Sequence, residues 1–405
     1  MAGLVLLGPA SLSPALAAGP GPAPAPVASA PSSTALPNGA TVGGGALSGP
    51  GIVTNLAPGT PPPPVPKAVS WLVADLRTRQ IIAARRVHTR LAPASTMKIF
   101  TALALAPRLD PATLYNASAA TETVDGTKVG LVTGSRYTVD QLLHGLIMSS
   151  GNDCAIALGE LAGGQAKAIA LMQAEARSLG AFDTTVATTT GLDAAGQSSS
   201  AYDLALAGSA ALQNHQLATI MKARQFNFPA AGKGLGKGRK HYSIQTHNKL
   251  IYNTPGATGV KNGYTVAARG SFVGSATRNG RSYIAVVLRT EGSSWHATDD
   301  LLEWAFASGR RAKPVGILIT PAQAKAVVEQ PAAQAAQPTG AGDAAAASAH
   351  VRGAAQAAKA EPSSLSGTYR ALLIAALAGG LLALLAVLLL WSRRSAGRSA
   401  SRLVP

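Results

Sequence analysis

A lone cysteine, Cys154, among 405 residues has no partner for an internal disulfide and excludes a metal site built from several thiolates. Aromatic residues make up only 4% and nowhere interleave with a dense basic run. The stacking platforms and phosphate-neutralising clusters of a nucleic-acid protein are therefore missing, and no nucleic-acid partner is expected. Acidic residues are also few, 18 against 35 Lys and Arg, for a formal net charge of +17. Residues 1–66 contain no Asp, Glu, Lys or Arg at all, whereas 67–313 hold 27 basic and 15 acidic residues. Such a surface suits an anionic environment, whether a membrane face or a cell-wall polymer.

Composition divides the chain further. Residues 1–18, with the short apolar run Leu4–Leu7 and an A-x-A site at Ala15-Leu16-Ala17, read as the remnant of a secretory signal peptide without its basic start. Residues 19–66 are Gly, Ala, Pro, Ser and Thr, ending in a proline run, and read as a disordered linker. A folded domain is expected from 67 to near Lys313, or to 321 if Val315–Ile319 adds a last strand. Residues 322–370 return to Ala, Gln, Gly and Pro and read as a second linker. The 21 residues Ala371–Trp391 carry no charge and would span roughly 31 Å as a helix. Four arginines in 392–405 mark the tail as cytoplasmic. The expectation is a single-pass protein of the cell membrane, anchored by its C-terminal helix, with the folded domain outside the cytoplasm.

Within 67–321 the patterns alternate between strand and helix. Trp71–Leu76 and Gln80–Arg86 read as a hairpin, as do Gly270–Thr277 and Ser282–Leu288 around Asn279-Gly280. Thr96–Ala106 is apolar almost all round, as a buried helix would be. Val139–Met148, Ala155–Leu161, Gln165–Leu179, Ala201–Leu212 and His296–Ala307 also read as helices. The order predicts an α/β (α+β) fold: an antiparallel sheet formed by both ends of the domain, flanked by helices, with an all-helical insertion lobe.

Three short constellations carry chemistry. In Ser95-Thr96-Met97-Lys98 the spacing i, i+3 puts both side chains on one helix face, so a lysine kept neutral by burial can take the serine proton. About one S-x-x-K is expected by chance in a chain this long. Ser150-Gly151-Asn152 offers a hydroxyl relay and an amide, although S-x-N is also an ordinary turn. Lys261-Asn262-Gly263-Tyr264 puts a cation beside a glycine on a strand edge, suited to a carboxylate-bearing substrate strand. His144, His241, His247 and His296 are scattered and read as structural; neither metal nor cofactor is expected. Cys154 reads as a small core residue. The Gly-rich basic stretch from Lys222 to Lys240 reads as a solvated loop, or as a surface attracted to anionic wall polymers.

The order S-x-x-K, S-x-N, K-x-G, at separations of 55 and 111 residues, is far more specific than any of its parts. With Leu91–Lys98, Leu142–Asp153, Asn248–Leu250, Pro255–Lys261, Thr190–Leu192 and Ala201–Ala205, it resembles the serine penicillin-recognising enzymes, and among them the low-molecular-mass D-alanyl-D-alanine carboxypeptidases. The resemblance covers about Ala68–Ala307 and implies a β-lactamase/transpeptidase-like fold. It implies a serine carboxypeptidase that removes the terminal D-Ala from peptidoglycan stem peptides, with β-lactams as acylating inhibitors. Ser95 would be the nucleophile, Lys98 its base and Ser150 a proton relay. Asn152, Lys261, Asn262, Gly263 and Tyr264 would bind substrate, with the backbone N–H groups of Ser95 and Tyr264 as oxyanion hole. Lys261 would also lower the pKa of the Lys98–Ser150 network. The third box departs from the family's Lys-Thr-Gly at Asn262, and 322–368 are too biased for the β-rich domain of many members. A serine β-lactamase is the second reading, although no Glu-x-x-Leu-Asn element follows the second box. A non-catalytic wall-binding protein with the same fold is the third.

Overall fold

The chain enters its sheet earlier than its composition suggests. The structure, a computed structural model, describes residues 41–234 and 238–335. The signal remnant, the start of the first linker, most of the second, the apolar segment 371–391 and the basic tail lie outside the described residues. Strand β1 (Ile52–Thr54) is followed by β2 (Ala68–Asp75) and β3 (Gln80–Arg85), and β1 pairs antiparallel with β3. Residues 41–66 are therefore part of the fold, not the unfolded spacer expected. Val42 and Leu47 are buried, Trp304 Nε1 donates to Pro61 O at 2.9 Å, and Arg311 Nη2 donates to Pro58 O at 2.7 Å. Composition counts side chains, but here the main chain is recruited: β3 would otherwise present a row of unpaired N–H and C=O groups.

After β3 the chain runs through α1 (Lys98–Leu105), the ribbon β4 (Leu114–Asn116) and β5 (Arg136–Thr138) with α2 (Ala119–Thr123) between them, then α3 (Val139–Met148), α4 (Asn152–Leu161) and α5 (Gln165–Ser178). Helices α6 (Ala201–Gln213) and α7 (His215–Lys222), a second ribbon β6 (Gln225–Pro229) and β7 (His241–Gln245), and the one-turn α8 (Leu250–Asn253) follow. Strands β8 (Ala257–Thr265), β9 (Arg269–Arg278) and β10 (Arg281–Thr290) return to the sheet, and α9 (Ser294–Ser308), β11 (Gly316–Ile317) and α10 (Pro321–Ala335) complete the order. The sheet is antiparallel in the order β1-β3-β2-β10-β9-β8, with β11 also on β3. Both ends of the domain thus build it, and β1 and β11 together cover one edge. The other edge, β8, is open.

The two faces of the sheet explain why its strands are apolar at nearly every position. Trp71, Val73, Ala285 and Val287 meet α9 through Leu301, Leu302 and Trp304, whereas Leu72, Ala74, Ile284 and Val286 meet the helical lobe. A strand covered on both sides loses its period-two signature. In the lobe α1 is buried at every position and packs on α3, α5 and α6. Helix α3 starts with a capping box, Thr138 with Gln141. The same device opens α10, where Gln141's counterpart Gln323 accepts from Thr320 N at 2.8 Å and Thr320 Oγ1 accepts from Gln323 N at 3.2 Å. Residues 322–335 are therefore helical, not linker: Ala, Gln, Lys and Glu are strong helix formers, and the T-x-x-Q signal stands in the sequence.

Burying Val42 and Leu47 contributes roughly 1.5–3 kcal/mol each, and 1 kcal/mol moves the melting temperature of a domain this size by about 2–4 °C. A chain beginning at residue 67 is therefore expected to melt at least about 5 °C below one beginning at residue 41, by calorimetry of both. Equal melting temperatures would mean that 41–66 add nothing to the fold.

Candidate active site

Ser95 sits in a one-turn 3-10 helix, Ala94–Met97, that leads directly into α1. Pro93 stops earlier helix, and Ala94 turns the chain with φ +50°, a left-handed value that a residue with a Cβ adopts only when its surroundings enforce it. They do so from three sides. Ser271 Oγ donates to Pro93 O at 2.7 Å, and Thr96 Oγ1 donates to the same oxygen at 2.6 Å. Two glycines let backbone close in: a Cβ at Gly191 would lie 2.2 Å from Ala94 O, and one at Gly263 would lie 2.8 Å from Ser95 N. The open edge strand β8 is thereby pressed against the main chain of Ser95.

Lys98 is fully buried. Its Nζ stands 3.1 Å from Ser95 Oγ and donates to Asn152 Oδ1 at 2.6 Å and to Thr190 O at 2.5 Å. Asn152 is fixed in this orientation because its Nδ2 donates to Asp125 O at 2.7 Å. Both oxygens facing Nζ are acceptors only. A neutral amine has two N–H groups and one lone pair, so the two N–H bonds are committed and the lone pair is left for the Ser95 hydroxyl. Burial pushes the Lys98 pKa down to about 7, against a partial upward pull from Cys154 and Asp153. The same three contacts suit the ammonium, and with a pKa near 7 about half of the amine is neutral at neutral pH, its lone pair then free for Ser95 Oγ.

Lys261, on β8, is also fully buried and donates to Asn262 O at 2.8 Å and Asn262 Oδ1 at 3.1 Å. Burial first, and the charge of Lys98 second, hold its pKa well below the usual lysine range. The expected direction of influence is thus altered: burial, not Lys261, is the first cause of the depressed Lys98 pKa, and it is the charge of Lys98 that acts on Lys261. Ser150, 5% exposed, lies in the α3–α4 loop at φ +62°, and among the described residues its hydroxyl makes no hydrogen bond. Asn152, expected at substrate, is 2% exposed with both amide ends engaged by the protein. Asn262 is half-buried, and Tyr264 is 67% exposed at the end of β8. His144 is half-buried and stacks on Phe226 with ring centroids 3.9 Å apart, whereas Cys154 is a core residue whose thiol is pushed up by burial.

Sequence reasoning missed three supporting parts. The carbonyl of Thr190 holds Lys98, although only its T-G-L landmark was noticed. Asp153 is buried, and its carboxylate accepts from the N–H groups of Val129, Gly130 and Leu131 at 3.2, 2.8 and 3.1 Å, fixing the loop that holds Asn152. Thr265 Oγ1 donates to Asp193 Oδ1 at 2.9 Å, joining the end of β8 to the loop that carries Thr190. The S-G-N-D run contained the second of these, but nothing in spacing marks the other two.

Comparisons with known proteins agree with this arrangement. A family model described as Peptidase_S11, D-alanyl-D-alanine carboxypeptidase, matches residues 58–292. The D-alanyl-D-alanine carboxypeptidase DacB2 of Mycobacterium tuberculosis is 38% identical over 257 residues, covering 62% of this chain and 86% of that protein. A crystal structure of D-alanyl-D-alanine carboxypeptidase from M. tuberculosis H37Rv superposes with a TM-score of 0.61 at 35% identity, over 65% of this chain and 99% of that one. The Streptomyces K15 DD-transpeptidase superposes with a TM-score of 0.58 at 25% identity, over 61% of this chain and 100% of that one.

If neutral Lys98 takes the serine proton, acylation of Ser95 by a β-lactam falls as pH drops through about 7. Asn152→Asp would put a carboxylate beside Nζ and favour the ammonium. Its pH midpoint is expected to rise by at least about one unit, with acylation at pH 7 at least about fivefold slower. An unchanged profile would show that Asn152 does not set the state of Lys98.

Proposed function

Because the chain belongs to the D-alanyl-D-alanine carboxypeptidase family of S11 serine peptidases, and is thus a hydrolase acting on peptidoglycan peptides and sensitive to β-lactams, we propose how its own residues divide the work. Ser95 Oγ attacks the carbonyl carbon between the last two D-alanines while Lys98 Nζ takes the hydroxyl proton. The oxyanion that forms is held by the N–H groups of Ser95 and Tyr264. The proton passes through Ser150 to the departing nitrogen, the C–N bond breaks, and D-Ala leaves an ester on Ser95. Water then adds to that ester, giving its proton to Lys98; the bond to Ser95 Oγ breaks, Lys98 returns the proton to that oxygen, and the shortened peptide leaves with a new carboxylate. The observation that carries this reading is the fully buried Lys98 amine, its Nζ 3.1 Å from Ser95 Oγ and held there by Asn152 Oδ1 and Thr190 O.

Lys261 and Asn262 are proposed to receive the terminal carboxylate. The Asn262 oxygen is taken by Lys261 Nζ, which leaves only amide N–H groups for a ligand. Such a donor-only position accepts a carboxylate where a hydroxyl could adapt to either partner. Asn152 acts here by positioning Lys98. The lactamase and non-catalytic readings are not favoured by the relatives, and the assembled nucleophile and base support an active enzyme.

We also read the protein as a membrane-anchored enzyme facing outward. Among the described residues no single helix is long and apolar enough to cross a membrane. The support is the uncharged run Ala371–Trp391 and the arginines after it.

Release of free D-Ala from a pentapeptide tests the activity. Ser95→Ala is expected to lower the rate by more than about 10⁴-fold. Asn262→Ala is expected to raise KM about tenfold or more for a free carboxylate, as loss of a hydrogen bond to a charged group does. With a C-terminal amide, both forms should be equally poor. Release that survives Ser95→Ala would overturn the scheme. In fractionated cells the full chain is expected to need detergent for release, whereas a chain ending at residue 335 stays soluble. Recovery of the full chain in the soluble fraction would exclude the anchor.

A further inference from the structure

The 87 residues Leu204–Thr290 contain twelve Lys or Arg and no Asp or Glu. Several of these cations have structural tasks. Lys261 is in the site, Arg278 pairs with Glu303 on α9, and Arg239 ties down the ribbon β6–β7. The Arg239 guanidinium donates to Ala230 O at 2.8 and 2.6 Å and to Arg136 O at 2.6 Å, and it lies 5.1 Å from the Tyr137 ring centroid. Gly232 N donates to Ser135 Oγ and Arg136 N donates to Gly232 O, each at 3.0 Å. The ribbon β6–β7 is thereby folded back on the ribbon β4–β5.

Between the two ribbons lies a recess of about 500 Å³ lined by Leu114, Asn116, Gly134, Arg136 and Lys233. No acidic residue lines it. Among the described residues the side chains of Arg136 and Lys233, and of Lys240 on the same ribbon, form no ion pair or hydrogen bond. Lys128, by contrast, donates to Glu122 O, and Lys325 lies 3.7 Å from Glu329. Uncompensated cations in a concave, low-dielectric wall raise the local potential for anions.

We propose that this recess is an anion-binding groove for a phosphate-bearing linear polymer of the envelope, separate from the catalytic cleft. A tetrahedral phosphate directs its oxygens out of one plane, so it can meet Arg136 on one ribbon and Lys233 on the other at once. A planar carboxylate presents both oxygens in one plane. A recess between ribbons, with Leu114 as its one large apolar side chain, admits a chain rather than a flat bilayer. The groove is tied to the catalytic neighbourhood without entering it. Tyr242 Oη, on β7, donates to Val129 O at 2.7 Å, in the loop whose Thr127 O accepts from Asn152 N at 2.7 Å. An occupant would hold the enzyme on the wall beside its substrate and leave Ser95 free.

The test is binding of fluorescently labelled inorganic polyphosphate to the full chain. Binding is expected to weaken with salt, with a log–log slope of about −2 for two to three neutralised charges. Lys233→Glu with Lys240→Glu is expected to weaken it at least tenfold while β-lactam acylation of Ser95 stays unchanged. Arg136→Gln is expected to weaken it as well; should that variant fail to fold, the exposed lysine pair still decides. No binding, or equal binding by the lysine variant, overturns the groove. Equally tight binding of poly-glutamate overturns its phosphate selectivity, and equally tight binding of phosphatidylglycerol vesicles overturns its preference for a chain over a bilayer. Because polyphosphate binding and acylation are read separately, loss of one leaves the other reading standing.

Discussion

The amine of Lys98 is held entirely out of water, at the start of a helix buried on every side, and much of the domain exists to make that tolerable. A lysine so placed cannot keep its proton cheaply, and it cannot shed it usefully unless its remaining N–H groups have partners. Asn152 Oδ1 and Thr190 O are those partners. Each arrives from a different segment, and each is itself tied: Asn152 by Asp125 O, and the Thr190 segment by the close approach of Gly191 to Ala94. Burial lowers the Lys261 pKa as it does that of Lys98, and any positive charge on Lys98 lowers the Lys261 pKa further.

The sheet provides the other half of the site, and its edges are handled differently. The β3 edge is closed by β1 and β11, segments from opposite ends of the domain. The β8 edge is left open beside Ser95, where a substrate strand has access to backbone groups. Strained backbone occurs next to two of the three motifs: Ala94 before Ser95, and Ser150 itself, both have positive φ. Rigid attachment of these turns to α1, α3 and β9 keeps the reacting atoms within reach without relying on mobile loops.

Much of this was legible in the sequence, for physical reasons that differ by element. The helix at Lys98, the Asn279-Gly280 hairpin and the long helices were plain because burial and turn chemistry leave strong local patterns. The pairing of Ser95 with Lys98 stood out only because their motif belongs to an ordered set with Ser150 and Lys261; singly, each spacing is common. The contribution of residues 41–66 is largely main-chain hydrogen bonding and the burial of Val42, Leu47 and Pro63, which composition does not register. The ribbons β4–β5 and β6–β7 have strands of three to five residues, too short to show a period. Helix α10 was misread although its Thr320–Gln323 box was in view, because the Ala-rich bias around it read as linker. The inward turn of Asn152 and the role of Thr190 O depend on contacts distant in sequence, and no local signal encodes them.

The account rests on a neutral Lys98, and the state of that amine can be observed without any turnover. In the full chain carrying isotope-labelled lysine, the side-chain resonance that disappears in Lys98→Met identifies the group, and its chemical shift can be followed from pH 5 to pH 11. A midpoint near pH 7 is the predicted result. Titration in the range of an ordinary exposed lysine, near 10.4, would contradict it.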